Sequence, residues 1–188
     1  MTGTWQIPLR LAILALVTVI VQFAAVSQIT LFGVSADLTP LVVMAAGLLL
    51  GSVPGAIMGF GMGLLVDTAL LQTLGVSSLI YIAVGYGSGR LRELRDPAHA
   101  LTPLAVGAAA TAIATIGFAV MQVLLGVDAP VSLLLIRDIL FTILLNTALA
   151  MPVYALVRRI LLPYLPSDPR RRRRRAYTTG GLSPLSRA

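Results

Sequence analysis

The sequence predicts an all-α fold: a polytopic membrane helix bundle with about six transmembrane helices. Three observations carry this expectation. Of 188 residues, 57% are hydrophobic and only 11% charged, whereas a soluble domain is about 25% charged. The apolar residues form long runs, and the mean hydropathy is +0.94, as expected of a chain that spans a bilayer. Arginines cluster in some connections and are nearly absent from others, which fixes orientation across a membrane.

The first span is read at about 8–28, with Pro8 in its first turn and Arg10 able to reach the interface. It is long for a secretory signal, lacks a clean small-residue cleavage site and is followed by further spans. The second, about 38–51, is short for a crossing and is expected to thin the bilayer or lie inside the bundle. Asp37 or Thr39 caps it, with Pro40 in the first turn. The turn "GSVPG" leads into a third span at about 54–71, and a fourth follows at about 76–91. The fifth covers about 102–125, with Thr102 as cap and Pro103 just inside. The sixth covers about 139–160. The preceding "PVSLLLIRD" is too short to cross alone and reads as a separate interfacial piece. Pro152 is expected to kink the last helix.

Arg90, Arg92 and Arg95 lie between spans four and five; Arg158, Arg159 and the run from Arg170 follow span six. Loops with Asp37, Asp67 and Asp128 hold almost no arginine, Arg137 excepted. Six spans with both termini in the cytoplasm place the arginine clusters inside; five spans would place the N-terminus outside. Residues 1–163 form the membrane domain, and 164–188 a disordered, cytoplasmic arginine-rich tail. In that tail Arg170, Arg171, Arg172, Arg173, Arg174 and Arg175 would attract anionic lipid at about 1 kcal/mol per charge. No aromatic residues are interleaved among them to suggest specific nucleic-acid recognition.

The stretch "GLLLGSVPGAIMGFGMGLLVD" places Gly47, Gly51, Gly55, Gly59 and Gly63 at every fourth position, with Gly61 as an extra, and ends at Asp67. In lipid, small residues let helix backbones approach closely. Spans two and three thus each carry a small-residue face, and span four carries another through Gly85 and Gly89. Asp67 lies toward the outer edge of span three. It is a functional candidate because a carboxylate there is costly unless it faces protein or water. The competing reading is local: Asp67 accepts hydrogen bonds from Thr68, Ser77 or Ser78, or from the amides opening span four. Gln22, Gln122 and Asn146 are the other notable polar residues in spans, and Asn146 is expected to bond another helix. There is no cysteine and a single histidine, His99, in a charged loop, so thiolate and multi-histidine metal sites have no ligands. Hydrolase, metalloprotease and phosphate-loop motifs are absent. No cofactor and no catalytic residues are expected.

Residues 59–91, "GFGMGLLVDTALLQTLGVSSLIYIAVGYGSGRL", resemble the core pattern of the MreD family of rod shape-determining membrane proteins. The matching positions are Gly59, Phe60, Gly63, Leu64, Leu65 and Asp67, then Gly75, Leu79, Tyr81, Gly85, Tyr86 and Gly89. "SADLTPLVV" is similar to the family's start of span two, although here the proline follows the aspartate. The ending "LLNTALAMPVYALVRRIL" resembles the last helix through Asn146 and Tyr154. The resemblance covers roughly residues 8–162. It implies a non-enzymatic scaffold of the cell-elongation complex in the bacterial inner membrane. Such a scaffold pairs with the transmembrane helix of MreC and links MreB filaments to RodA and its transpeptidase partner in peptidoglycan synthesis. It also implies a fold like the S-components of energy-coupling-factor transporters. The expected partner-binding or structural groove comprises Asp67, Gly59, Gly63, Gly75, Tyr81, Gly85, Tyr86, Gly89 and Asn146. The alternative is a solute-binding, S-component-like transporter subunit, against which stands the scarcity of polar and aromatic groups to line a pocket.

Overall fold

The computed structural model describes residues 6–24, 30–31, 34–94, 101–126 and 133–161. These form six helices: α1 (Gln6–Ala24), α2 (Leu38–Leu50), α3 (Ser52–Ala69), α4 (Val76–Leu94), α5 (Thr102–Leu124) and α6 (Leu133–Leu161). Two short strands, β1 (Thr30–Leu31) and β2 (Val34–Ser35), pair antiparallel ahead of α2. Among the described residues three stretches are long and apolar enough to cross a membrane: Ser52–Ala69, Thr102–Leu124 and Ile136–Leu161. Pro8–Ala24 and Leu38–Leu50 are shorter apolar helices. The chain is a helical membrane bundle.

Its centre is α2. Every residue from Thr39 to Leu49 is buried, against α4, α3, α6 and α5 in turn. A helix apolar on all sides belongs in such a position. The chain leaves α2 and enters α3 through Gly51 alone, whose φ of 108° is open to glycine and strained for other residues. The Gly51 amide donates to Gly47 O, and Gly51 O accepts from the Gly55 amide. Gly51 is therefore the hinge between two helices, not part of a helical face with Gly47. Pro54 falls in the first turn of α3, where its missing N–H has no intrahelical partner to lose.

Two expectations need correction. α6 is one continuous helix from Leu133, so part of the piece read as interfacial is its first turns. The charged pair Arg137 and Asp138 interrupts the hydropathy, not the helix. Arg137 folds over the Phe141 ring one turn on, 5.4 Å from its centroid, which suits a cation beside an aromatic face. Thr102 does not cap α5: Leu101 holds that position without a side-chain bond, and Thr102 is the first helical residue. His99, Arg95, Asp128 and the tail with Arg170–Arg175 lie outside the described residues.

Candidate functional site

Two polar arrangements inside the bundle emerge from the helix packing. The first is a clasp on the chain entering α2. Asn146 of α6 accepts the Asp37 amide at 3.0 Å through Oδ1 and donates to Asp37 O at 2.9 Å through Nδ2. The same Nδ2 donates to Thr111 Oγ1 on α5 at 3.2 Å. From α1, Gln22 Nε2 donates to Ala36 O at 2.9 Å, and Gln22 Oε1 accepts the Leu38 amide at 2.8 Å. Two carboxamides thus satisfy four backbone groups of residues 36–38. A carboxamide offers a donor and an acceptor side by side on one planar group. Asp37 is the N-cap, accepting the Thr39 amide at 3.0 Å.

The clasp lies far from both ends of α5 and α6, whereas Gln22 is close to the end of α1 at Ala24. Asn146 is 13 residues from Leu133 and 15 from Leu161, about 20 and 22 Å along the axis. Thr111 is 9 residues from Thr102 and 13 from Leu124, about 14 and 20 Å. The α2 helix therefore begins part-way along α5 and α6. Its 13 residues span only about 20 Å. Non-helical backbone there is tolerated only when protein satisfies it, and Gln22 and Asn146 do so.

The second arrangement is the antiparallel pair α3 and α4. A Cβ on Gly55 would meet Gly85 O, one on Gly59 would meet Tyr81 O, and one on Gly63 would meet Ser78 Cα. Gly85 lies against Gly55 O, and Gly89 against the Ser52 amide. Gly47 brings α2 to the same seam, against Ser88 Oγ and Gly85 O. These are backbone contacts, the close approach that drives helix association in lipid. Tyr81 is buried beside them, edge-on to Phe118 with ring centroids 5.8 Å apart.

Each end of the pair is closed by a carboxylate. Asp67, from the last turn of α3, is fully buried and accepts the Gly75 amide at 2.7 Å and the Ser77 amide at 3.2 Å. It thereby serves the exposed amides opening α4, where the helix dipole favours an anion. Neither the Thr68 nor the Ser78 hydroxyl is its donor; they bond Leu64 O and Phe60 O. Glu93, in the last turn of α4, accepts the Ser52 amide at 2.9 Å and the Ser52 hydroxyl at 2.6 Å, and so caps α3. Arg90 donates to its other oxygen at 3.3 Å. The Ser52 hydroxyl and amide, then Arg90, hold the exposed Glu93 carboxyl below the usual carboxylate range. Sequence reasoning missed Glu93 because its partner lies 41 residues away.

Of the expected site residues, Gly59, Gly63, Tyr81, Gly85 and Gly89 come together along the α3–α4 seam, and Asp67 and Gly75 meet at its end. Asn146 belongs to the clasp. Tyr86 is 48% exposed and faces away from the seam. The seam is filled by helix against helix. Among the described residues no group of acidic, histidine or cysteine side chains is placed to hold a metal ion.

Fold and site define a small helical membrane protein in which most buried polar side chains bond the chain's own backbone, the Ser77 hydroxyl excepted. A family model described as rod shape-determining protein MreD matches residues 1–160. The chain belongs to the MreD family, and with it to rod shape determination. No curated protein and no solved structure matches it.

Proposed function

We propose that this chain is a non-enzymatic scaffold of the cell-elongation complex in the bacterial inner membrane. In this reading it pairs with the transmembrane helix of MreC and links MreB filaments to RodA and its transpeptidase partner. Both termini face the cytoplasm, and the Arg170–Arg175 run holds anionic lipid. The observation that carries the reading is the family match over residues 1–160. The interior supports it. Buried Gln22, Asp67, Thr111 and Asn146 are engaged with the chain's own backbone or with one another, while the buried Ser77 hydroxyl has no partner. That is the interior of a frame, and partners would meet its lipid-facing side.

On that side a partner helix finds Tyr86 and Gly87 on α4. A Cβ on Gly87 meets nothing within 4 Å, unlike the filled seam glycines. Co-expression with the MreC of the same genome, and purification through a tag on this chain, tests the proposal. MreC should survive washing in stoichiometric amount and be lost when its transmembrane helix is replaced. Absence of MreC, with both proteins inserted and intact, would sink the reading. A bound small molecule found by mass spectrometry would then favour the transporter subunit.

A further inference from the structure

No further inference is drawn: the strongest candidate, the buried side-chain cluster at the α3–α4 turn in which Ser77, its hydroxyl without a partner among the described residues, bonds the Asp67 carboxylate through its amide, belongs to the cap already described, since both oxygens of Asp67 are engaged by the amides that open α4.

Discussion

Asn146 and Gln22 do with side-chain amides what a neighbouring strand does with its backbone. Both are buried, and each supplies a donor and an acceptor to the extended chain at residues 36–38. Replacing Asn146 with leucine keeps the branched shape, at somewhat greater volume, and removes both functions. The Asp37 amide and carbonyl then face hydrocarbon unpaired, and each such group costs about 1–3 kcal/mol. Asn146→Leu should therefore lower the thermal unfolding midpoint in detergent clearly, and an unchanged midpoint would refute the clasp. Asp67 obeys the same logic at the turn between α3 and α4. Asp67→Ala strands the Gly75 and Ser77 amides at about 1–3 kcal/mol each, whereas Asp67→Asn keeps an acceptor and should lose less. The sequence pointed to Asn146 as a bond between helices and to the α4 amides as donors to Asp67. It did not reveal Gln22's role or the chain that Asn146 holds, because the Asn146–Asp37 pair is separated by 109 residues.

At the scale of elements, α3 and α4 form a reciprocal pair: Asp67 leaves α3 to cap α4, and Glu93 leaves α4 to cap α3. Between the caps the glycine seam joins backbone to backbone, and nothing along it can yield to a larger side chain. Gly63→Leu drives atoms into Ser78 N and Cα and should abolish the monodisperse peak in gel filtration. Gly87→Leu meets open space and should leave the peak intact. The Glu93 cap adds a pH dependence. Its folded carboxyl titrates below its ordinary value of 4.5, so its stabilisation is present above about pH 4.5 and is lost as pH falls through the folded value. Unfolding midpoints of wild type and Glu93→Gln should differ at pH 7 and converge in acid; a gap that persists at low pH would refute this. The spacing of the glycines in the sequence showed that spans two, three and four pack closely. It could not show that α2 begins part-way along α5 and α6, since that is a relation to Thr111 and Asn146, far along the chain. Nor did hydropathy give α6 its full length, because two charged residues near its start resemble a span boundary.

For the whole molecule, the direction of each helix follows from contacts at known heights. Gly55, Gly59 and Gly63 descend α4 through Gly85, Tyr81 and Ser78, so α3 and α4 are antiparallel. Gly107 meets Ala150 while Thr111 meets Asn146, so α5 and α6 are antiparallel too. The turn at Leu71 and the end of α4 at Leu94 therefore belong to opposite faces of the bundle. Both are open, Leu71 at 93% and Leu94 at 74% exposure. In the proposed orientation, with the arginines Arg90 and Arg92 inside, the Leu94 end is cytoplasmic. The chain has no cysteine, so a single introduced thiol reports without background. Leu71→Cys should react with a membrane-impermeant maleimide added to intact cells whose outer layers are made permeable. Leu94→Cys should react only after the inner membrane is opened. Ala36→Cys, 7% exposed and held inside the bundle by Gln22, should stay unlabelled in both cases until the protein is denatured. Reaction of positions 71 and 94 from the same side would break the α4 crossing, and labelling of position 36 in the native protein would remove the clasp from the membrane interior.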